Sequence, residues 1–360
     1  MNKIEQNRKR ICFIGDAGST HLIKFAKYFS INYDVHIITL QKSLPITNVS
    51  VHNIAEFERN HKIGFLFLIK QRSKIRKLIK QINPDIIHVH YASSYGFLAR
   101  ISNIKYILSV WGSDVIDFPN KSILHKILIK KNLKKASIIF ATSDYLKEVT
   151  GKLVQGRNII VTPFGVNTEL FKPIPVQKKD GITIGCVKSL LYIYGIDVLI
   201  KAFSIVKKKH KDLTLKLLIV GEGSYKSALC LLVDELKISD DVIFQPFTPN
   251  ENLPAVYSKI DIFANLSRYE SFGVSVLEAS ASEIPVIATG KGGLVETVID
   301  GVTGLLVEVE NVEQTAESIE RLILDKELRK ALGKHGRTHV LENYNIEKSM
   351  EKFENIYKKY

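Results

Sequence analysis

Residues 265–278 read Asn-Leu-Ser-Arg-Tyr-Glu-Ser-Phe-Gly-Val-Ser-Val-Leu-Glu, and their surroundings indicate a parallel α/β sheet. A short apolar run at 260–264 precedes the segment and is typical of a buried strand. A helix-like run at 274–281 then leads to a second strand-like run at 284–288. In a parallel sheet, this order places the middle of the segment beyond the carboxyl end of a strand, where open α/β sheets bind ligands.

Two glutamates, Glu270 and Glu278, are separated by seven residues within this segment. Glu270 and the turn Ser271-Phe272-Gly273 fall at a helix N-terminus, where backbone N–H groups point outward and bind anions. Glu278 lies two turns along the helix, where its carboxylate can accept hydrogen bonds from a pair of sugar hydroxyls. Two glutamates on a helix are more often solvated surface residues, but a glycine turn between two buried strands favours a binding site.

This segment resembles the glutamate-seven-glutamate motif of the family 4 glycosyltransferases, and the likeness covers nearly the whole chain. The resemblance implies the GT-B fold, in which two Rossmann-like, doubly wound α/β domains face a cleft. It implies that Glu270 lies against the donor sugar, that Glu278 holds the ribose of the nucleotide, and that Ser271, Phe272 and Gly273 line the nucleotide site. It also implies a nucleoside diphosphate sugar as donor substrate and a retaining reaction that needs no metal ion or other cofactor.

The order of the motifs divides the chain into three parts. We expect an N-terminal acceptor-binding domain over residues 1–172 and a C-terminal nucleotide-sugar-binding domain over residues 173–340. By the same resemblance, residues 341–360 form a helix that crosses back to the first domain. Residues 172–180 include two prolines and have the composition of a linker.

The composition is that of a globular protein whose charge is unevenly distributed. Lys and Arg outnumber Asp and Glu by 26 to 11 in residues 1–170, whereas the remaining residues contain 25 and 26. A basic half suggests a nucleic acid or an anionic membrane as partner, although lysine-rich solvated surfaces are common. The three cysteines lack metal or redox spacing, and no signal peptide or membrane-spanning segment is visible. We therefore expect a cytoplasmic protein, with a peripheral position on the inner face of the membrane as an alternative.

Two basic segments in the first half have a pattern found at membrane surfaces. Residues 62–82 combine an apolar run that includes Ile63 with six lysines and arginines between Lys70 and Lys80, and residues 122–135 contain five lysines. Basic amphipathic helices of this kind lie on anionic bilayers. A core-facing helix with a solvated basic back is the alternative, and the pattern slightly favours it.

The first βα turn contains Gly15, Gly18 and His21. It lacks the full dinucleotide fingerprint, so no bound NAD is expected. In family 4 enzymes the corresponding loop approaches the donor phosphates or the acceptor, and the resemblance therefore assigns Gly15 and Gly18 to ligand binding. His21 matches the same loop, but it fits equally well as a surface residue at a helix start.

Two further strands in the first half end in polar residues. One ends in His88-Val89-His90, and its resemblance to the family's Pro-Asp…His-x-His segment assigns a catalytic role to His90 rather than to His88, although a lone histidine is more often structural. After the next strand, Trp111 stands where many family members have a histidine, so this chain departs from the family there. Asp114 is a catalytic-site candidate that could bind an acceptor hydroxyl, with a turn cap as the alternative.

The first loop of the second half also departs from the family pattern. It usually carries an arginine and, five residues later, a lysine that bind the donor diphosphate, but Ser189 and Tyr194 occupy those places. Lys188 is the cation in this loop, and we assign the diphosphate and a catalytic role to it. Gly221 and Gly223 follow the next strand and resemble the nucleotide-side glycine loop of the family.

We expect a retaining glycosyltransferase that moves a sugar from a nucleotide-sugar donor to a glycan or lipid-linked acceptor, such as a bacterial polysaccharide precursor. A GT-B nucleotide-sugar epimerase is one alternative, but it needs an acid/base pair in the cleft, and no distinctive pair is visible. A basic nucleic-acid-binding protein is the other. We do not expect a nucleic acid partner, because the positive charge is not interleaved with aromatic residues or known binding motifs.

Overall fold

The computed structural model describes residues 8–57, 64–175 and 180–360, which fold into two compact units. The first unit comprises the chain up to Pro163 together with Met350–Tyr360, and the second comprises Phe164–Ser349. Each unit contains one parallel β-sheet whose strands are connected by helices. The prediction of two Rossmann-like α/β domains is therefore confirmed.

The first unit is built on a seven-stranded sheet with the order β3-β2-β1-β4-β5-β6-β7. The chain starts in the middle at β1, moves outward to β3 and then returns to β4 on the other side of β1. This reversal is the topological switch point at which open α/β sheets bind ligands. The elements are β1 Arg10–Ile14, α1 Thr20–Phe29, β2 Asp34–Gln41, β3 Val49–Phe57, α2 Phe65–Ile82, β4 Ile86–His90, α3 Ser94–Ile101, β5 Ile107–Val110, α4 Asp117–Asn120, α5 Ile123–Lys135, β6 Ile139–Ala141, α6 Asp144–Leu153 and β7 Ile159–Val161.

Apolar runs in the sequence become the central strands of this sheet. All side chains of β1 from Ile11 to Ile14 are fully buried, as expected when both faces of a parallel sheet are covered. α1 buries Leu22, Phe25, Ala26 and Phe29, which recur at helical spacing on one face. The sequence analysis missed β3, because this edge strand is mostly half-exposed and no buried run marks it.

The second unit is built on a six-stranded sheet with the order β10-β9-β8-β11-β12-β13. Its switch point lies between β8 and β11, which pair directly. The elements are β8 Ile182–Val187, α7 Ile196–Lys209, β9 Leu215–Val220, α8 Lys226–Glu235, β10 Val242–Gln245, α9 Leu253–Tyr257, β11 Ile262–Asn265, α10 Val274–Ala281, β12 Val286–Thr289, α11 Leu294–Thr297, β13 Gly304–Val307, α12 Val312–Leu324, α13 Lys326–Asn343 and α14 Ile346–Tyr357.

The second unit begins before residue 173, where the sequence analysis placed the domain boundary. The reason is a short parallel bridge between Val166 and Asn345. The Val166 N–H donates to the Tyr344 carbonyl at 2.8 Å, and the Ile346 N–H donates to the Val166 carbonyl at 3.0 Å. These bonds, together with the fully buried Phe171, make the residues after Pro163 part of the second unit.

The segment 341–360 was predicted as one helix, but it contains a break after Asn343. The same bridge interrupts it, because Asn345 adopts extended pairing and its side chain accepts the Glu347 N–H at 2.8 Å. The end of α14 belongs to the first unit, where the Tyr357 hydroxyl lies 2.5 Å from His88 Nδ1. Across the three described ranges, no helix combines the length and the apolar character needed to cross a bilayer.

Gly195, between β8 and α7, provides a test of how tightly the second unit is packed. Its φ is +63°, and a Cβ atom there would overlap the carbonyl of Leu266 at the end of β11. Gly301 has a similar φ of +71°, but a Cβ atom on it would meet nothing within 4 Å. Both alanine variants bear the left-handed strain of about 1–2 kcal/mol. We expect Gly195→Ala to lose about 1–3 kcal/mol more from overpacking.

Thermal unfolding of the two alanine variants measures this difference within one unit. A lower midpoint for Gly195→Ala than for Gly301→Ala is the expected result. Equal midpoints would contradict the close approach of the Gly195 and Leu266 backbones.

Candidate functional site

The candidate site of the second unit lies at the carboxyl edge of its sheet, on both sides of the switch point. The loop after β8 carries Lys188, and the loop after β11 carries Glu270. Because β8 and β11 pair directly, these loops leave the sheet side by side, although 82 residues separate the two side chains. The fold therefore brings together two of the three charged residues that were predicted to bind the donor, Lys188 and Glu270.

Lys188 and Glu270 form an ion pair between Lys188 Nζ and Glu270 Oε2. Only 18% of the Lys188 side chain and 12% of the Glu270 side chain are exposed. The ring of Tyr194 lies beneath the ammonium, with 4.6 Å between Lys188 Nζ and the ring centroid. An aromatic face attracts a cation at this distance, so Tyr194 holds Lys188 from a second side.

The ion pair keeps Lys188 charged in a partly buried place. Burial alone lowers the pKa of Lys188, but the Glu270 carboxylate and, after it, Tyr194 outweigh this effect. The pKa of Lys188 is raised above its ordinary value as a result. The Lys188 side chain, at the carboxyl edge of the sheet, is therefore positively charged at neutral pH.

Glycines allow the loop after β9 to touch the Lys188 loop. A Cβ atom on Gly221 would overlap the carbonyl of Lys188, and one on Gly223 would overlap the backbone of Leu190. The Leu190 N–H also donates to the Glu222 carbonyl at 2.9 Å. Gly221 and Gly223 are therefore needed for close backbone packing around Lys188, and their predicted contact with the nucleotide stays a prediction.

The turn Ser271-Phe272-Gly273 leads from Glu270 into α10. The Ser271 N–H donates to Glu270 Oε1 at 3.2 Å, and the Gly293 N–H donates to the Glu270 carbonyl at 3.0 Å. Phe272 is 2% exposed, so its ring belongs to the core, and only its backbone can face a ligand. The turn therefore holds Glu270 in place, and the predicted contact of Ser271, Phe272 and Gly273 with the nucleotide stays a prediction.

Glu278 on α10 is 5% exposed, and both of its carboxylate oxygens accept hydrogen bonds. The Tyr257 hydroxyl donates to Oε2 at 3.0 Å, and Asn250 Nδ2 donates to Oε1 at 3.1 Å. Burial and, next, the Glu278 charge raise the pKa of Tyr257 well above its ordinary value, so its hydroxyl stays protonated. The sequence analysis missed Asn250 and Tyr257, since neither belongs to a recognisable motif.

Arg268, another cation near the site, is occupied by structural contacts. Its guanidinium forms two hydrogen bonds with the Asp197 carboxylate, at 2.9 and 2.8 Å, and a third with Glu310 at 2.7 Å. Its Cζ also lies 3.8 Å from the centroid of the Tyr192 ring. Lys291, after β12, is exposed instead. These contacts leave Lys188 better placed than Arg268 to meet a ligand.

In the first unit, the loop after β1 is shaped by Asp16 and by close packing. The Gly18 N–H donates to Asp16 Oδ1 at 2.9 Å. A Cβ atom on Gly15 would lie 2.9 Å from Leu22 Cδ2 and 3.2 Å from His90 Cβ. The structure thus places Gly15 beside the predicted catalytic histidine, while a ligand contact of Gly15 or Gly18 stays a prediction.

His90 is 1% exposed, and neither ring nitrogen has a hydrogen-bond partner within the part of the chain that the structure describes. Its ring centroid lies 4.1 Å from that of His88 and 5.4 Å from that of Trp111, which also packs against His21. Burial, and then the neighbouring His21, lowers the pKa of His90 to about 3. His90 is therefore a neutral, buried imidazole, and its catalytic role stays a prediction.

His88 is a structural residue, because its two ring nitrogens bond Tyr357 at 2.5 Å and Ser109 at 2.7 Å.

Asp114 is fully buried and organises the loop after β5. Its Oδ2 accepts the Ala92 N–H at 2.7 Å, and its Oδ1 accepts the N–H groups of Trp111 and Gly112 at 3.1 and 2.9 Å. Burial raises the pKa of Asp114, and the three N–H groups oppose this effect. This geometry is that of the turn cap that the sequence analysis weighed against binding of an acceptor hydroxyl.

Among the residues that the structure describes, no group of three or more His, Cys, Asp and Glu side chains could hold a metal ion.

Two family models match the chain. The model described as "Glycosyl transferase 4-like" matches residues 10–143, and the model described as "Glycosyl transferases group 1" matches residues 167–339. The matched ranges fall within the first and the second unit, respectively.

Similar curated proteins include two bacterial enzymes. The N-acetyl-alpha-D-glucosaminyl L-malate synthase of Bacillus anthracis is 30% identical over 79% of this chain and 77% of its own length. The GDP-mannose-dependent alpha-(1-6)-phosphatidylinositol monomannoside mannosyltransferase of Mycobacterium tuberculosis is 31% identical over 74% of both chains.

Similar solved structures share the fold at lower identity. The sucrose-phosphate synthase of Thermosynechococcus elongatus has a TM-score of 0.85 and 21% identity, over 98% of this chain and 99% of its own. HepE of Anabaena, in complex with UDP and glucose, has a TM-score of 0.81 and 18% identity, over 97% of this chain and 99% of its own. The chain thus belongs to the group 1, family 4-type glycosyltransferases and has the GT-B fold.

Proposed function

We propose that this glycosyltransferase moves a sugar from a nucleoside diphosphate sugar to a glycan or lipid-linked acceptor in the synthesis of a cell-surface glycan. The observation that carries this proposal is the Lys188–Glu270 ion pair at the switch point of the second sheet. The reacting end of such a donor combines a negative diphosphate with sugar hydroxyls, which match a cation and a carboxylate held side by side. Family membership favours transfer over the epimerase alternative.

The names of two similar proteins support a nucleotide-sugar donor. HepE of Anabaena was solved with UDP and glucose, and the Mycobacterium tuberculosis relative is GDP-mannose-dependent. The nucleotides in these names differ in their base. We therefore propose a nucleoside diphosphate sugar as the donor and leave its base unassigned.

Lys188 is the residue that we assign to the leaving group. As the bond to the sugar breaks, negative charge grows on the nucleoside diphosphate. A pre-positioned cation stabilises this charge more in the transition state than in the ground state. We propose that Lys188 and the N-terminus of α10 supply this stabilisation without a bound metal ion.

In this proposal, Glu270 and Glu278 contact different parts of the donor. Each carboxylate has about four lone-pair sites. Glu270 uses some of them for Lys188 and the Ser271 N–H, and Glu278 uses two for Tyr257 and Asn250. We propose that both carboxylates also accept hydroxyl groups of the donor, from its sugar at Glu270 and from its ribose at Glu278.

Retention of the anomeric configuration is part of the proposal because the family 4 resemblance implies it. Proton NMR of the first-formed product tests it, and a product of inverted configuration would contradict it.

An exposed apolar patch in the first unit supports a lipid-linked acceptor. The patch consists of side chains in the first turns of α2 and α5, namely Leu66, Ile69, Ile123, Leu124 and Ile127, which are between 43% and 78% exposed. The starts of the two helices are neighbours, since the Phe65 and His125 rings lie 6.2 Å apart.

The apolar patch lies towards the ligand-binding edge of the first sheet. α2 follows β3 and α5 follows β5, so both helices begin on the carboxyl side of the strands. Exposed lysines, including Lys70, Lys121 and Lys126, lie next to the patch residues along the chain. Exposed apolar side chains with lysines beside them fit an anionic bilayer, in which the apolar groups insert and the lysines meet lipid phosphates. Lys62 and Ile63, which the sequence analysis included in this surface, lie outside the described residues.

The assignment of Lys188 predicts a change in turnover. We expect Lys188→Ala to lower kcat by about a hundred-fold or more, the loss typical of removing one charge-stabilising donor. The donor KM should change less, because the cation acts mainly on charge that develops in the transition state. Steady-state kinetics with a donor identified by screening nucleotide sugars measures both parameters.

Two variants serve as controls for Lys188→Ala. Lys291→Ala removes an exposed lysine from the same edge of the sheet, and Tyr194→Phe keeps the ring beneath Lys188, so both should retain most activity. Near-normal turnover of Lys188→Ala at saturating donor would reject the assignment.

The membrane contact predicts a loss of binding when the apolar patch becomes polar. We expect Leu66→Ser combined with Leu124→Ser to weaken binding to anionic vesicles by at least about a hundred-fold, since each buried leucine contributes about 1.5–3 kcal/mol. Wild-type binding should fall as salt rises. Vesicle co-sedimentation measures both effects.

The matched control is Leu231→Ser combined with Leu324→Ser, because both leucines are 63% exposed in the second unit. This control should bind vesicles like the wild type. Equal binding of the wild type to neutral and anionic vesicles, or to neither, would refute the membrane contact.

A further inference from the structure

A basic groove of about 1140 Å³ opens at the amino edge of the first sheet. Its walls are the second half of α2, the residues before β4, the turn between α3 and β5, and Tyr360. All of these belong to the first unit. The groove therefore lies at the edge opposite the loops after β1, β4 and β5, where the sequence analysis placed ligand contacts.

The charge of the groove is strongly positive. Five cationic side chains line it, from Arg72, Arg76, Lys77, Lys80 and Lys105. The acidic side chain in the lining is Asp85, whose Oδ2 already accepts the Arg10 N–H at 2.7 Å. Positive side chains that line one groove repel each other, and a bound anion relieves this repulsion. The cluster therefore favours a negatively charged ligand.

Two of the five cations are held in place by the fold. Arg76 Nε donates to the Ser102 carbonyl at 2.8 Å, which leaves the terminal nitrogens of the guanidinium available for a ligand. Lys105 Nζ lies 4.6 Å from the centroid of the Tyr360 ring, and the Tyr360 hydroxyl lies 2.6 Å from Ser137 Oγ. Cations positioned in advance lose less side-chain entropy when they bind.

A buried hydroxyl supplies an independent indication of a ligand. Ser102 lines the groove and is 2% exposed, yet its Oγ has no hydrogen-bond partner among the described residues. Buried polar groups are nearly always paired, because an unpaired one has lost its hydrogen bonds to water without replacement. A rotation of the Ser102 side chain towards the groove would let an oxygen-rich ligand pair with this hydroxyl as well as with Arg76.

The surroundings of the groove favour a soluble ligand over a lipid. The exposed apolar side chains of α2 lie in its first turns, whereas the groove is formed by residues from Arg72 onward. Around the groove, the isoleucines of the lining are buried or half-buried, so they cannot anchor a bilayer. The groove volume is in the range of small-molecule sites.

We propose that this basic groove binds a soluble phosphorylated ligand, at a site separate from the one assigned to the sugar donor. Arg76 and Lys105 contact the phosphate oxygens, and Ser102 Oγ completes the site. The ligand class is a small phosphate or diphosphate ester, whose oxygens match a guanidinium fork and an ammonium.

The test uses inorganic pyrophosphate as the probe and hydrogen exchange as a local readout. Pyrophosphate titrated into the full chain should protect the amides of residues 98–106, and the concentration dependence gives an affinity for the groove alone. Binding of pyrophosphate near Lys188 does not affect this readout, because exchange is followed in the groove peptide.

The decisive variant is Arg76→Gln combined with Lys105→Gln. It should weaken the affinity read from this protection by at least about ten-fold, because two charge-assisted hydrogen bonds to the phosphate oxygens are lost. Lys131→Gln combined with Lys134→Gln removes the same charge from exposed positions on α5 and should behave like the wild type. Equal weakening by both pairs, or no protection by pyrophosphate in the wild type, would overturn the proposal. Protection by vesicles containing phosphatidic acid but not by pyrophosphate would overturn it too, because the ligand would then be a lipid.

Discussion

The site of the second unit depends on one constraint of the fold, the direct pairing of β8 with β11. This pairing sets the loops that carry Lys188 and Glu270 side by side, and the partly buried ion pair follows from it. A buried charge is stable only when it is paired and hydrogen-bonded. Removal of either residue would therefore leave the other as an unpaired charge in a partly buried place. The Tyr194 ring and the close glycine loop after β9 then limit where the ammonium can lie.

The buried polar side chains of the two units make different kinds of contact. In the second unit, buried charges form fixed pairs, such as Arg268 with Asp197 and Lys188 with Glu270, and both oxygens of Glu278 accept hydrogen bonds from side chains. In the first unit, both carboxylate oxygens of Asp114 accept hydrogen bonds from backbone N–H groups. His90 is neutral and packs against aromatic rings. The first unit instead offers two surfaces at opposite ends of α2, one apolar and one basic. This contrast is consistent with donor binding in the second unit and partner binding in the first.

Much of the fold could be predicted from local patterns, because buried strands appear as apolar runs and α10 follows a glycine turn. The edge strand β3 was missed, since half-exposed side chains give no such run. The break after Asn343 was missed because its cause, Val166, lies far away in sequence. The same limit applies to the site. Glu270 and Glu278 could be selected as candidates from the glycine turn between two strands and from the family motif. The partners of Glu278 and the contact between Lys188 and Glu270 depend instead on which strands are neighbours.

The central claim is that the second unit holds a nucleoside diphosphate through Glu278 on the ribose, and calorimetry of Glu278→Gln tests it most directly. The substitution keeps the shape of the side chain. The amide oxygen can still accept from Asn250, and the Tyr257 hydroxyl can accept from the new N–H group while it donates to the Ser275 carbonyl at 3.3 Å, so the fold should survive. UDP and GDP are titrated, and the one that binds the wild type is used. The control is Glu317→Gln, which changes an exposed glutamate on α12. We expect affinity to fall by about ten-fold or more for Glu278→Gln, because a charged acceptor contributes about 1.5–3 kcal/mol. Unchanged affinity in the folded variant would contradict the account.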